Sequence, residues 1–567
     1  NVSQPRLLSK VSLGENYSWS EAMWDEKAFN VLPAAGLILL PYQGDFSNGY
    51  ASRVQLIDWR NDSLQLRGSI DHKLQPRRAT LAQNRVISVS GWEFLAVNVD
   101  DRDRPVVTRD LTLAWPVDRV ILSGDYLLEF GARGFFSGDE RAIIRIGRAE
   151  SPNQILTQWS LGDVPILGAT VKSNLLYLLQ SESSRFAFDA TGNPLPQTNS
   201  ATLSVIDLTK LPNLEIVGQT QATLSNSLSA WNLTPLWVRD DLLVWESANS
   251  YWFFPMLFAA QPSAHIGFAS AATEVYATPA SVALPATGST PAGSLAPGGI
   301  VANRFMPPWF YGGGAGTELV AFNVSDSANP QFVSELNLSS EEWSTHNASF
   351  AGNGLVYLSH TKFDSGSRTD DDIWMEKYYL DVIDYSDAAN PTLRDAVNIS
   401  GALAGVSHEG NVLYTISSHT ARSEKTWIDA LAYDGVRASL IGALALPSEW
   451  PHPTLIAVTN IFVGVPKSDS TGAIEVWNIS VSGKLVRASS TPLAQPAHSF
   501  AAFGQLFVAQ TENRLQLFDA TNPLALQPLV SGSAENCLWP NLEHADGSAD
   551  RGLWAPLGDY GVLKISR

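Results

Sequence analysis

Four of the nine histidines in this 567-residue chain recur at one place in a repeated pattern. His346 stands nine residues before Leu355, His452 nine before Ile461, His498 eight before Leu506 and His544 nine before Leu553. Imidazoles brought to equivalent positions can bind a transition metal or an anion, and they change charge near neutral pH. Glu26 and Arg78 fall close to the same position in two earlier copies. The expected site is built by His452, His498 and His544, with His346 and Glu26 nearby. A transition metal is the one cofactor it admits. The competing readings are a water-filled polar channel and histidines that only bond the neighbouring backbone.

A second pattern overlays the first. Trp24, Trp115, Trp231, Trp343, Trp450 and Trp539 all precede the same strand of the repeat. Aromatic planes beside polar side chains suit a sugar or another ring-shaped ligand. The alternative is a tryptophan wedged between neighbouring sheets, where it buries a large apolar area. Residues 251–316 form a third candidate, because Glu274 is the one formal charge between Glu246 and Arg304. Trp252, Phe253, Trp309 and Phe310 lie within it, and uncharged aromatic surface of this kind fits a partner. A flap packed on its own protein is the competing reading.

The acidic runs 364–372 and 544–552 lack the spacing of a calcium loop and read as solvated hairpin tips. There is no His-Glu-x-x-His motif and no Gly-x-Ser-x-Gly elbow. The run GGGAG at 312–316 leads into a strand rather than the helix a phosphate loop needs. Cys537, the single cysteine, has no motif around it and excludes an intrachain disulfide framework.

The elements that must position these residues are strands. An apolar alternating run ends in Asp or Asn, a polar turn often closed by Pro follows, and a second apolar run begins. LVAFNVSDSANPQFVSEL around Asn323 and YLDVIDYSDAANPTLRDAV around Asp384 are the clearest copies. Asn98, Asp207 and Asp519 head further copies, and Asp58 and Asn478 looser ones. A carboxylate or amide at the strand exit can bond backbone N–H groups just downstream, and Pro belongs in such a turn. Another strand pair precedes each copy, which makes four antiparallel strands per unit.

Ten units follow, at about 24–71, 76–114, 115–162, 165–222, 231–338, 343–399, 400–447, 450–494, 496–530 and 538–567. Repetition of this kind predicts an all-β propeller spanning 1–567, with 251–316 inserted in the fifth unit. One ring is expected, closed by the N-terminal strand at 5–13 completing the last unit. Two smaller propellers are the alternative.

The phrases VIDYSDAANPTL and AFNVSDSANPQF resemble the LVIVD-type repeats of bacterial and archaeal surface propellers. The opening MWDEKAFNVLPAAGLILLP (23–41) is similar to the start of the secreted bacterial β-propeller family distantly related to WD40 repeats. The resemblance covers most of the chain, with 115–162 and 400–447 degenerate. It implies an exported binding or scaffold protein without an established catalytic signature. That family often carries His where this chain has Glu26.

A net charge of −19 disfavours nucleic acid and anionic membranes as partners. No 18-residue apolar span exists, so membrane insertion is not expected. The start at Asn1 reads as an exported chain after signal removal, destined for the periplasm, cell surface or exterior. The function expected is non-catalytic binding of a protein or glycan through the Trp/His face and residues 251–316. The rivals are a carbohydrate-active or metal-dependent enzyme at the channel mouth and a structural subunit of a surface assembly.

Overall fold

A computed structural model describes residues 7–14, 18–23, 25–46, 49–131, 142–162, 164–181, 199–225, 228, 233–248, 282–283, 317–338, 344–364, 375–407, 409–417, 426–446, 453–457, 460–468, 470–479, 485–512, 514–533, 540–558 and 560–567. Ten β-sheets lie among them, at 18–72, 76–112, 119–160, 166–223, 233–338, 344–399, 402–445, 454–493, 497–533 and 546–566. There is one sheet for each sequence unit. Most are four antiparallel strands in simple sequential order. The sixth gains a parallel strand from Val282–Ala283, and the tenth has three strands.

The strand-exit Asp and Asn do what their spacing predicts. Asn98, Asp207, Asn323, Asp384 and Asp519 each accept the N–H two residues on, at 2.8–2.9 Å. A bulge precedes four of them, at Ala96/Val97, Val205/Ile206, Ala321/Phe322 and Leu517/Phe518, and turns the strand into its hairpin. The two looser copies depart from the rule. Asp58 pairs with Arg67 and Arg102, and the buried Asn478 side-chain oxygen has no hydrogen bond.

These turns also dock on the preceding sheet. A Cβ on Gly218, in the fourth strand of the fourth sheet, would sit 2.1 Å from the Ser327 carbonyl in the turn of the fifth. A Cβ on Gly68 would sit 2.7 Å from the Asp103 carbonyl in the same way. At the matching place on the fifth sheet Ser334 instead donates to the Ala388 carbonyl, 2.7 Å away.

Contacts gather the chain into two compact units. The first comprises Asn1–Asp118, Phe130–Ile143 and Pro556–Val562; the second comprises Arg119–Glu129, Ile144–Ala555 and Leu563–Arg567. The first and second sheets of the first unit share a core of Leu37, Leu39, Val54, Leu56, Val86 and Val97. Residues 7–13 carry no strand; Ser9 accepts the Leu64 N–H of the first sheet.

Within the second unit, from the fourth sheet to the tenth, each sheet packs on the next through an apolar layer. Trp245 and Phe322 fill one such layer, Tyr357 and Leu413 another, and Phe462 and Phe507 a third. The tenth sheet then meets the third. Asp546 accepts the Leu122 N–H at 2.8 Å, and Trp554 donates to the Ala149 carbonyl at 3.0 Å.

Candidate functional site at the loop-bearing end of the second unit

The two ends of the sheets in the second unit differ. At one end the first and second strands join through tight turns such as 173–174, 240–241, 353–354 and 504–505. At the other end the second strands stop and the first strands begin, and the long connections 249–316, 365–374 and 418–426 leave from there. Polar side chains collect at this second end and are buried there: Gln180, Glu246, Glu318, Thr361, Asp381, Asp429 and Gln510. Inside an apolar sandwich such groups need partners.

The sixth sheet provides the most ordered arrangement. His346, His360 and Tyr379 are direct partners across its first three strands. The His360 ring stacks on Tyr379, with centroids 5.0 Å apart, and its Nδ1 lies 2.5 Å from the carboxylate of buried Asp381. A carboxylate on Nδ1 fixes the ring's tautomer and orientation.

The fifth sheet carries a carboxyl pair at the strand that returns from 249–316. Glu318 is 1% exposed, and neither of its oxygens has a hydrogen bond. Burial, and then the neighbouring Glu335 carboxyl, push it up to about 8. Burial raises Glu335 too, but Glu318, the Ser225 hydroxyl and N–H and Asn337 outweigh it and hold Glu335 below its ordinary value. Both Glu335 oxygens accept the Ser225 N–H at 3.0 Å, and Asn337 donates to Ser225 Oγ at 2.7 Å.

His498 is second in the first strand of the ninth sheet. Desolvation lowers its pKa and Glu512 partly offsets the shift. The register nevertheless separates it from His346. His498 is the extra residue of a bulge between Ala497 and Ser499, whereas in the sixth sheet the extra residue is Asn347. His346 matches Ala497. A bulge re-aims the side chain it carries, so the two histidines are one step out of phase.

His544 closes a short 3-10 turn, two residues ahead of the first strand of the tenth sheet. Trp115 is half-buried in the connection leading to Arg119–Ser123. Glu26 is exposed in the first unit, in a turn where Asp25 accepts the Lys27 N–H. The carboxylates that meet the neighbouring Arg77 and Arg78 are Glu21 and Asp25 instead. Trp24, Trp231, Trp252, Phe253, Trp309, Phe310, Trp343, Trp450, His452 and Trp539 lie outside the described residues, as does the side chain of His346. Among the described residues no three His, Cys, Asp or Glu side chains gather as a metal would need.

A pocket of about 440 Å³ opens at the tight-turn end, lined by Phe503, Gln505, Asp519, Asp546, Asp550 and Arg567 among others. Asp546 is enclosed there and pushed up to about 6 by burial, against the Leu122 and Gly547 N–H groups that stabilise its charge.

The first unit holds a constellation no motif announced. His72 Nε2 lies 2.6 Å from Ser88 Oγ, and its Nδ1 lies 3.3 Å from a Glu93 carboxylate oxygen. Those are the contacts of a serine nucleophile, its base and the base's orienting acid. Ser88, however, is 0% exposed, and so is the His72 side chain. Burial raises Glu93, but His72 and the Lys73 N–H outweigh it and hold the carboxyl below its ordinary range. The trio therefore acts as a buried polar clasp between the first two sheets.

Comparison with known proteins supports the fold. Residues 1–101 match the family model described as Beta propeller domain. No curated protein matches the chain. The solved structures it is similar to include Kluyveromyces lactis Hsv2p, at 8% identity and TM-score 0.30 over 72% of this chain and 95% of that one. Porphyromonas gingivalis dipeptidyl peptidase 4 is 10% identical at TM-score 0.36, over 80% of this chain and 59% of the peptidase. Pyrococcus horikoshii acylaminoacyl peptidase is 10% identical at TM-score 0.33, over 80% of this chain and 52% of that one. Likenesses at these scores carry no argument, and the support for the fold is the family match over residues 1–101.

Proposed function

We propose that this chain is an exported, non-catalytic β-propeller that binds a protein or glycan partner at the loop-bearing end of its second unit. The observation that supports this most is the asymmetry of the sheets. Their tight turns stand at one end and their long connections at the other. The residues named from sequence as Trp343, Trp450, Trp539 and 251–316 all belong to connections at that second end. Loops held on a rigid scaffold are where recognition concentrates. Periplasm, cell surface or exterior is the setting proposed, and a place in a larger surface assembly fits the same face.

The blade count forms part of the proposal. The return of the tenth sheet to the third favours a closed ring of eight over the ten that the repeats alone predict. The experiment is glycan-array and surface-fraction binding by the intact chain, beside a variant in which 251–316 is replaced by a short Gly/Ser linker. Loss of a specific ligand in that variant, or in Trp343→Ala with Trp450→Ala, is expected. Equal binding by all forms would overturn the reading.

The enzymatic alternative has one observation in its favour, the Ser88–His72–Glu93 contact. Covalent labelling of Ser88 by a fluorophosphonate would establish it.

A further inference from the structure

The first strand of the sixth sheet, Ser344–Gly352, pairs along one edge with Leu355–Asp364. Its other edge also has a partner. Val282–Ala283 lie parallel to it, in register with Phe350 and Ala351. Among the described residues of the second unit, this is the one first strand that gains such an addition. Phe350 and Ala351 are both buried, at 1% and 0% exposure. Buried backbone N–H and C=O groups on a strand edge need partners, and the added strand supplies them.

The added strand sits at the far end of the sheet from where its segment departs. The chain leaves the fifth sheet after Ala248 and re-enters it at Thr317, both at the loop-bearing end. Val282–Ala283, the midpoint of that connection, pairs instead beside the tight turn at 353–354. Phe350 stands about 20 Å along the strand from Ser344 at ordinary strand spacing. The same two residues also lie beside Leu233–Arg239, the first strand of the fifth sheet. In the sequence, Pro279 and Pro285 bracket Ala-Ser-Val-Ala-Leu. Proline has no N–H to give a ladder, so the window able to pair is bounded on both sides. The window is also uncharged, and it meets a buried edge with no charge to desolvate.

We propose that this edge is a strand-acceptor site whose resident occupant is the chain's own window 280–284. The pairing works as a latch. It holds 249–316 at its midpoint, so the insertion is presented as two anchored spans instead of one free loop. Main-chain pairing recognises an extended backbone, and a partner strand enters here only by displacing the window. So short a pairing is the part of the sixth sheet that opens first. The inference does not rest on the binding role proposed above: it concerns how the segment is held, whatever the segment binds.

Hydrogen–deuterium exchange of the full chain tests it, read on peptides covering 276–289 and 344–352. Exchange about tenfold slower at 280–284 than in the rest of 259–300 is expected. Val282→Pro with Ala283→Pro removes the two N–H groups of the latch. That variant should exchange faster both in the rest of the window and at 349–352, with its unfolding midpoint unchanged. Ala286→Pro, outside the window, is the control and should alter neither. Exchange at 280–284 as fast as in its flanks would overturn the latch. Protection at 349–352 that survives the double proline variant, or is lost equally in the control, would overturn the acceptor site.

Discussion

Trp554 donates its indole N–H to the carbonyl of Ala149, 405 positions away in the chain, and its side chain is fully buried. Leu122 and Asp546 bridge the same two sheets a short distance off. The last sheet is thus tied to the third by directional bonds as well as by packing. Trp554→Phe is expected to lower stability by about 1–2 kcal/mol through the lost hydrogen bond and volume, and Trp554→Ala by about 3–5 kcal/mol. Trp59→Phe, at a side chain 39% exposed, is the control and changes little. Denaturant midpoints of the three variants decide the matter, and equal midpoints would remove the bridge's importance.

Asp384 shows what the repeated turn contributes. The Ser386 hydroxyl, then Arg394 and the Ser386 N–H, hold its carboxyl down to about 2. Its folded value lies below the ordinary 3.8, so its contribution is present above 3.8 and is lost as pH falls toward 2. Asp384→Asn keeps an acceptor for the Ser386 N–H but loses the Arg394 pair, whereas Asp384→Ala loses both. We expect a cost of about 1–2 kcal/mol for the alanine variant at neutral pH and less for asparagine. The gap between wild type and alanine should close on acidification to pH 2, as followed by chemical denaturation.

Glu318 predicts the opposite pH trend. Its folded value, about 8, lies above the ordinary 4.5, so the folded state holds a proton the unfolded state releases. Its contribution to stability should be lost as pH rises from about 4.5 to about 8. Glu318→Gln carries no such proton and should flatten that slope. Parallel slopes in the two proteins would place the titrating group elsewhere.

The Ser88–His72–Glu93 clasp predicts a chemical silence. With Ser88 fully buried, a fluorophosphonate should leave the folded protein unlabelled. His72→Ala should instead show as a loss of about 1–3 kcal/mol, because the buried Ser88 hydroxyl would lose its imidazole partner and Glu93 would keep only Lys73. Labelling at Ser88 would mean that the first unit opens to admit an acyl donor.

How much of this was legible in the sequence follows from the range of each interaction. The strand-exit Asp and Asn act on an N–H two residues away, so their spacing predicts the turn and the strands it joins. The failure at Asp58 comes from partners farther along the chain, Arg67 and Arg102. The same holds for the candidate site. Counting back from the second strand places His346 and His498 near the right end but cannot register a one-residue bulge, so it treats them as equivalent. His360, Glu318 and the buried clasp have no local signature at all. Their meaning comes from Asp381, Glu335, Ser88 and Glu93, which only pairing between strands and sheets brings close.

The docking of each Asp-headed turn on the sheet before it has a consequence for how such a chain can change. Gly218 leaves a recess for the Ser327 carbonyl, while Ser334 offers a hydroxyl to that of Ala388. These seats are not interchangeable: one is an absence of side chain, the other a donor. A unit copied or moved along the chain would present its turn to a seat cut for a different neighbour. The repeats are therefore parts with fixed addresses, and any lineage that gained or lost one had to alter the residue next door as well.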